Sequence, residues 1–411
     1  MKKVLNYKII LFFLLLAAFS ACDINNNDEP ENSDKYLLSF EKHKTYKLAD
    51  MKAVLNIYAN LYPDLKNISD KLEHDIDVYT ITYTTKFKGD ELIASGLVSV
   101  PSAAGNFPLM SYQNGTNTLH SEAPSVNPDN QLFLLLEFIA STGFVVSVPD
   151  YLGFGASSNM FHPYLDKEST IQSVTDMLRA VEELTTNHLQ FEANNDLYIT
   201  GYSQGGWATM QLQKALEENN GSEFNLKASS CGAGPYDLRF VNDYILGLTN
   251  YPMPYFVGYI FNSYLNLDDI TKPAGDIFKS PYDQRVMTLF NGTKSGDEIN
   301  AQLTTATADL FTADYKSTSK SDSKFSTVIS SLDKNSIAAW KTNIPTLLTH
   351  GTNDNYIPEQ ISKNLYDDFL EKGVDQTKIT YIAIPGAGHN TAVIPSGVAT
   401  FSWFISLNNT Q

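Results

Sequence analysis

The stretch TGYSQGG at residues 200–206 decides the fold of this chain. It holds Ser203 in the pattern Gly-x-Ser-x-Gly, after an apolar, β-prone run and before apolar residues at helical spacing. A strand, a sharp turn that carries the serine and a helix are the setting in which this pattern forms a nucleophile elbow. Gly201 and Gly205 lack the Cβ atoms that would collide in such a turn. The pattern predicts a nucleophilic Ser203, with the backbone N–H of Gln204 at a helix start able to bind an oxyanion.

A serine nucleophile needs a base and an orienting carboxylate, and without them the motif would be an ordinary glycine-rich turn. In the α/β-hydrolase arrangement these partners follow the serine in the order acid, histidine, each in a loop after a strand. An apolar strand at 344–349 runs into a loop that carries Asp354, and a strand at 379–384 is followed by small residues and His389. We therefore predict a catalytic triad of Ser203, Asp354 and His389.

Other titratable residues compete for these roles. Asp150 follows a predicted strand at 144–148 and is expected to shape the site rather than to serve as the triad acid. His350 ends a strand and is expected to hydrogen-bond its own loop, whereas His120 and His162 are candidates to line a pocket. Because no Cys/His pair has the spacing of zinc ligands, we predict no metal and no other cofactor.

The second oxyanion donor is expected in the loop after the strand at 107–112. That loop contains Asn114, Gly115 and Thr116, and the backbone N–H of Gly115 or Thr116 is predicted to lie opposite that of Gln204. An ordinary Asn-Gly turn is the competing interpretation. Two tyrosines beside these loops, Tyr202 and Tyr151, are predicted to contact the substrate.

The chain resembles the secretory lipase family of α/β-hydrolases and related bacterial lipoprotein esterases. The matching motifs are YQNGT (112–116), DYLGFG (150–155), HPYL (162–165), GYSQGG (201–206), HGTND (350–354) and GH (388–389). The resemblance implies hydrolysis of carboxylic esters by a metal-free Ser–Asp–His triad, with these roles for Ser203, Asp354 and His389. Bacterial relatives often carry His-Gly-Thr where this chain has Asn114-Gly115-Thr116.

We predict an α/β-hydrolase fold, with a mainly parallel sheet of eight strands flanked by helices and a helical cap or lid inserted after the sixth strand. The core would comprise residues 35–235 and 341–411, and residues 236–340, here called the cap segment, exceed what one crossover needs. An N-terminal helical extension packed on the sheet is predicted from an amphipathic stripe of five residues: Val54, Leu55, Tyr58, Leu61 and Tyr62. The aromatic first half of the cap segment is interpreted either as its own core or as an acyl-binding wall. The polar stretch 304–334 is expected to be solvated.

The N-terminus predicts export. Three lysines precede an apolar run at 9–19, which is too short to span a bilayer and is typical of a signal peptide ending at residue 21. Cys22 then resembles a bacterial lipoprotein cleavage site, with a secretory signal and a soluble product as the alternative. The polar, acidic composition of residues 22–34 predicts a disordered tether. We expect a lipid-anchored protein on the outer membrane of a Gram-negative bacterium, facing the cell surface, with the periplasmic leaflet as the alternative.

Charge and cysteine content limit the partners. After removal of residues 1–21 the chain keeps 26 basic and 46 acidic residues, a net charge of −20. Such a charge opposes binding to nucleic acid or to anionic membrane surfaces. The membrane contact is therefore expected only through the anchor, and Cys231 is expected to be a buried core residue.

These features predict a serine hydrolase that cleaves an ester-containing small molecule or lipid. A serine peptidase of the same fold is one alternative, since it would use the same triad. The other is a non-catalytic surface lipoprotein that binds glycans or lipids.

Overall fold

The computed structural model of the protein describes residues 34–192, 194–218, 223–318 and 323–408. The predicted signal peptide, Cys22 and the tether up to residue 33 lie outside the described residues. The described residues from Lys35 onward form one compact unit. Among them, no helix combines the length and the apolar character needed to cross a membrane.

The core of the fold is a nine-stranded sheet with the order β1-β2-β3-β5-β4-β6-β7-β8-β9. Strands β1, β2, β3 and β5 pair antiparallel in that order, and all other neighbours are parallel. The fold class predicted from the sequence is therefore confirmed, with one strand more than expected. The strands are β1 (Leu37–Tyr46), β2 (Ile76–Phe87), β3 (Asp90–Pro101), β4 (Leu109–Gln113), β5 (Val145–Pro149), β6 (Asp196–Tyr202), β7 (Asn225–Gly232), β8 (Thr346–Gly351) and β9 (Ile379–Ile384).

Helices cover both faces of this sheet. Outside the cap segment they are α1 (Leu48–Tyr58), α2 (Leu65–Ser69), α3 (Gln131–Glu137), α4 (Lys167–Glu183), α5 (Gln204–Glu218), α14 (Gln360–Glu371) and α15 (Val393–Asn408). Inside the cap segment they are α6 (Leu238–Gly247), α7 (Pro254–Asn266), α8 (Ala274–Ile277), α9 (Tyr282–Thr288), α10 (Gly296–Asn300), α11 (Thr307–Leu310), α12 (Ala313–Thr318) and α13 (Ser326–Asn335).

Alternate residues of the central strands enter two separate apolar clusters. Leu197 and Ile199 of β6 belong to the cluster that includes residues of α4, α5 and α14, whereas Tyr198 between them belongs to the cluster that includes residues of α1, α2, α3 and α15. This alternation is what a strand buried on both faces requires. The sheet is thus a rigid, doubly covered layer whose carboxyl edge carries the loops of the site.

Strand β1 was missed by the sequence analysis. It pairs antiparallel with β2 at the edge of the sheet, and only Leu37 at its start is buried. An exposed edge strand has no apolar alternation, so periodicity cannot identify it, and its charged residues protect the open edge. The extra strand also means that the cap segment follows the seventh strand, β7, rather than the sixth.

The predicted N-terminal extension is helical, as expected, but the buried stripe differs in part. Met51 and Leu55 of α1 are buried against the sheet, whereas Leu61, which the stripe placed inward, is 75% exposed. The helix ends at Tyr58, so Leu61 lies beyond it and no longer follows the helical spacing.

The cap segment runs between β7 and β8, and its described residues add no strand to the sheet. Many aromatic residues of its first half are buried, including Tyr251, Tyr259 and Tyr264. The expectation that 304–334 is solvated was wrong for several apolar residues in that stretch. Phe311 stacks on Phe278 with ring centroids 5.4 Å apart, and the ring of Tyr315 meets that of Phe261 edge-on. The polar composition of the stretch hid an apolar stripe that packs on the first half.

One buried carboxyl stands apart from the ion pairs of the surface. Glu137 ends α3 with 1% of its surface exposed, and neither carboxylate oxygen has a hydrogen-bond partner among the described residues. Burial, with a smaller contribution from Asp129, raises the pKa of Glu137 to about 8. The folded protein therefore holds a proton at Glu137 that the unfolded chain releases above its ordinary pKa of 4.5.

We predict that Glu137→Gln stabilises the protein increasingly as the pH rises from 5 to 9. Because the folded state binds the extra proton, the wild type loses up to about 1.4 kcal/mol of unfolding free energy per pH unit between the two pKa values. Glutamine removes that loss. Thermal unfolding across this pH range measures the effect, with the exposed Glu371→Gln as control. A difference in Tm that stays constant with pH would contradict the account.

Candidate active site

The backbone at Ser203 takes the conformation of a nucleophile elbow. Ser203 lies between β6 and α5 with φ of +61°, the left-handed region that non-glycine residues rarely adopt. A Cβ on Gly205 would overlap the carbonyl of Gln113, so β4 and the start of α5 approach as closely as two backbones can. On the other side the N–H of Ser203 donates to the carbonyl of Gly232 at 2.8 Å. Packing between β4 and β7 thus holds the turn in its strained shape.

Ser203, Asp354 and His389 form one hydrogen-bonded chain. Nδ1 of His389 lies 2.6 Å from Oδ2 of Asp354, and Nε2 lies 2.8 Å from Oγ of Ser203. A carboxylate only accepts, so Nδ1 carries the proton and Nε2 accepts from the serine hydroxyl. All three side chains follow the carboxyl ends of parallel strands: β6, β8 and β9. The structure therefore brings together the three residues that the sequence predicted as a triad.

Asp354 is held as a carboxylate by four donors. Its Oδ1 accepts from the backbone N–H groups of Tyr356 at 2.8 Å and Ile357 at 2.9 Å. Its Oδ2 meets His389, and Nε2 of His350 approaches the same oxygen at 3.2 Å. Burial alone would raise the pKa of Asp354, but the hydrogen bonds from His350, His389 and Ile357 outweigh it and hold the pKa well below its usual range.

The imidazole of His389 lies between two aromatic rings. The rings of Tyr202 and Tyr356 each lie 5.3 Å from it, centroid to centroid. The hydroxyl of Tyr202 also donates to the backbone carbonyl of His389 at 2.7 Å. Tyr202 therefore fixes the histidine loop, and its contact with the substrate remains a prediction. Tyr356 was missed by the sequence analysis, because no motif or periodicity marks it.

The loop after β4 lies beside the elbow. Gln113 of β4 pairs with Gly201 of β6, so the residues that follow leave the same edge of the sheet. A Cβ on Gly115 would lie 3.6 Å from the carbonyl oxygen of Tyr202. Among the described residues, the backbone N–H groups of Gln204, Gly115 and Thr116 have no hydrogen-bond acceptor. Free donors on both sides of the nucleophile are what an oxyanion hole requires.

Asn114 and Tyr151 hold this loop in place. The Asn114 amide donates to the carbonyl of Pro149 at 2.7 Å, and the Tyr151 hydroxyl lies 3.2 Å from the carbonyl of Asn114, to which it donates. The loop is thus tied to the end of β5, in contrast to a simple Asn-Gly turn. Because the Tyr151 hydroxyl is engaged here, its predicted contact with the substrate stays a prediction.

Asp150 lies apart from the triad. Its carboxylate accepts from the hydroxyls of Ser95 and Ser125, both at 2.5 Å, and from the N–H of Ser125. Burial raises the pKa of Asp150, and these hydrogen bonds only partly oppose it. Its contacts join β3 and the loop after β4 to the end of β5. Across the described part of the chain, no group of three or more His, Cys, Asp or Glu is arranged to hold a metal ion.

Solved structures share this fold over most of the chain. A hydrolase from Legionella pneumophila is 25% identical, covers 91% of this chain and 98% of its own, and superposes with a TM-score of 0.80. The rice cell wall degrading esterase LipA from Xanthomonas oryzae is 22% identical, with 91% and 97% covered and a TM-score of 0.76. Candida antarctica lipase A in its closed state is 16% identical, with 89% and 82% covered and a TM-score of 0.63. None of the curated proteins matches the chain.

A family model supplies the assignment that these distant structures alone do not. The model described as secretory lipase matches residues 121–410, which is more than half of the chain. The match spans the elbow, the loop that carries Asp354 and the loop that carries His389. The chain therefore belongs to the secretory lipase family and is a carboxylic ester hydrolase.

Proposed function

We propose that the protein cleaves carboxylic esters through an acyl-enzyme on Ser203. His389 takes the hydroxyl proton of Ser203 at Nε2 while Oγ attacks the ester carbonyl. The carbonyl oxygen, now negative, accepts from the N–H of Gln204 and from the Gly115–Thr116 loop. His389 then gives the proton to the leaving alcohol. Water attacks the acyl-enzyme by the same steps, and the acid leaves as Ser203 regains its proton.

The observation that carries this proposal is the unbroken chain of hydrogen bonds from Asp354 through His389 to Ser203, at 2.6 and 2.8 Å. It supports the proposed roles because the proton on Nδ1 leaves Nε2 free to act as base. Asp354 stays ionised and stabilises the imidazolium that forms during attack. Within the described part of the chain, the backbone N–H groups of Gln204 and of the Gly115–Thr116 loop have no acceptor, which supports the proposed oxyanion hole.

We predict that Ser203→Ala abolishes ester turnover while leaving the fold intact, because the nucleophilic oxygen is lost and little else changes. Hydrolysis of p-nitrophenyl esters from acetate through palmitate measures this, with soluble protein that lacks residues 1–22. Ser229→Ala, which removes a buried hydroxyl from the neighbouring strand β7, is the matched control and should retain turnover. Serine-independent turnover in Ser203→Ala would contradict the proposal.

Asp354→Asn should lower kcat by about 10,000-fold at every pH, since an amide facing Nδ1 favours the wrong tautomer of His389. The wild-type carboxylate has a strongly lowered pKa, so it is ionised throughout the range in which esters can be assayed. Rate profiles from pH 5 to 9 check both statements, with Asp367→Asn, whose carboxylate pairs with Lys363 on α14, as control. A loss that recovers at one end of the range, or one below about 10-fold, would rule out the proposed role.

Membership of a secretory lipase family implies export. We further propose that the protein is a lipoprotein, anchored through Cys22 at the outer membrane and facing the cell surface. The support is the sequence alone: lysines, an apolar run and small residues before Cys22, followed by an acidic tether.

Cys22→Ser should abolish incorporation of a clickable palmitate analogue and shift the protein from the membrane to the soluble fraction. The reason is that the serine hydroxyl cannot form the thioether that carries the lipid. Cys231→Ser is the control and should keep both label and location. Labelling that persists in Cys22→Ser would place the lipid on another residue and contradict the proposed anchor.

A further inference from the structure

One short segment touches both sides of the proposed oxyanion hole. Residues 162–165 (HPYL), here called the clamp segment, lie in the loop between β5 and α4. His162 contacts the side chain of Gln204, and Tyr164 contacts the side chain of Thr116. In the proposed mechanism Gln204 and the Gly115–Thr116 loop supply the backbone donors for the oxyanion, so a single loop contacts the donors of both sides.

The contact between His162 and Gln204 has a defined direction. Nδ1 of His162 lies 2.6 Å from the carbonyl of Leu152, which can only accept, so Nδ1 carries the proton. Nε2 is then an acceptor, and the amide nitrogen of Gln204 donates to it at 3.0 Å. Burial lowers the pKa of His162 to about 4, so the ring stays neutral at physiological pH. This geometry fixes the orientation of the amide of Gln204 at the first residue of α5.

On the other side of the proposed oxyanion hole, the hydroxyl groups of Tyr164 and Thr116 form a hydrogen bond. Oη of Tyr164 lies 2.7 Å from Oγ1 of Thr116, and Tyr164 is 3% exposed. No other side chain or backbone group of the described residues hydrogen-bonds the Thr116 hydroxyl. The position of Thr116, and with it the backbone N–H of that residue, therefore depends on where Tyr164 is held.

The cap segment holds the clamp segment from outside. The ring of Tyr164 stacks on that of Tyr259 in α7, with centroids 4.5 Å apart and planes 9° apart. Tyr259 stacks in turn on Phe290 at 4.6 Å. The hydroxyl of Tyr264, also in α7, donates to the carbonyl of Leu165 at 3.0 Å. Leu165 has φ of +54°, a strained conformation that such contacts must support.

We infer that the clamp segment sets the spacing of the oxyanion donors and that α7 of the cap segment fixes the clamp segment through Tyr259 and Tyr264. His162 and Tyr164 are positioning residues in this scheme, and the inference rests on the proposed function. An oxyanion hole works only when its donors are held within about 0.5 Å of the position that the developing charge needs. Two donors tied to one buried, stacked loop meet that requirement. Two independently mobile loops do not.

The scheme gives the cap segment a role in the rate of the reaction. A displacement of α7 that breaks the stack on Tyr164 releases the Thr116 side of the hole. Ester hydrolysis is then slowed without any change at Ser203 or His389. The stacked rings are therefore expected to influence kcat more than substrate binding.

The test distinguishes loss of the hydrogen bond between Tyr164 and Thr116 from loss of the fold. Tyr164→Phe and Thr116→Val each remove one hydroxyl, while the backbone N–H of Thr116 remains in both. Thr116→Ser keeps the hydroxyl and is the conservative rescue. The control is Tyr315→Phe, which removes another buried tyrosine hydroxyl of the cap segment, bonded to Asn242 at 2.8 Å. Two rates are measured: turnover of a p-nitrophenyl ester, and labelling of Ser203 by a fluorophosphonate.

We expect Tyr164→Phe and Thr116→Val each to lower kcat and the labelling rate by about 10-fold, with KM within about twofold. This is well below the 100- to 1,000-fold cost of removing a donor outright, because the donor is displaced rather than lost. The double variant should be no slower than either single one, since both break the same contact. Thr116→Ser should restore most of the rate that Thr116→Val loses, and Tyr315→Phe should keep the wild-type rates.

The inference is overturned if the single variants keep wild-type kcat, if their effects multiply in the double variant, or if Thr116→Ser is as slow as Thr116→Val. Tyr259→Leu, which removes the stacked ring, should also lower kcat, whereas Tyr259→Phe should not; equal rates would refute the link to α7. If the wild type neither turns over esters nor reacts with the fluorophosphonate, the proposed function fails and the inference fails with it. A reactive wild type with unaffected variants refutes only the inference.

Discussion

The left-handed backbone at Ser203 is the constraint on which the rest of the structure depends. It persists because the carbonyl of Gln113 in β4 lies against Gly201 and Gly205, and the carbonyl of Gly232 in β7 accepts from the N–H of Ser203. The strain is small beside the burial of two apolar clusters, one on each face of the sheet. In return the hydroxyl projects beyond the strand ends, where the loops after β8 and β9 bring Asp354 and His389 to it.

Around Ser203 the loops of the site are held mainly by hydrogen bonds between side chains and main-chain groups rather than by ion pairs. Asp354 is oriented by backbone N–H groups, the loop of His389 by the hydroxyl of Tyr202, and the loop of Asn114 by the carbonyl of Pro149. Each side chain near the nucleophile is thereby tied to a strand end that cannot move independently. The cap segment is joined to this arrangement through aromatic stacking.

The sequence predicted those parts of the site that depend on residues adjacent in the chain. The strand–turn–helix around Ser203 and the short loops after β8 and β9 identified the three residues that the structure brings together. Strand β1 escaped detection because an exposed edge strand is ordered by backbone pairing with β2 and carries no apolar alternation. Tyr356, and the contacts of His162 and Tyr164, depend on which loops meet at the sheet edge, which periodicity does not encode. The HPYL motif of the clamp segment is part of the family resemblance, but only the three-dimensional structure shows which residues that segment contacts.

The central claim, covalent catalysis by Ser203, is tested most directly by trapping the acyl-enzyme. Protein that lacks residues 1–22 is mixed with a p-nitrophenyl ester and quenched in acid within milliseconds to seconds. It is then digested and examined by mass spectrometry. The account predicts a mass increase equal to the acyl group on the peptide that contains Ser203, formed together with a burst of p-nitrophenol. Turnover with the acyl group on another residue, or turnover without a burst and with no adduct at any quench time, would contradict it.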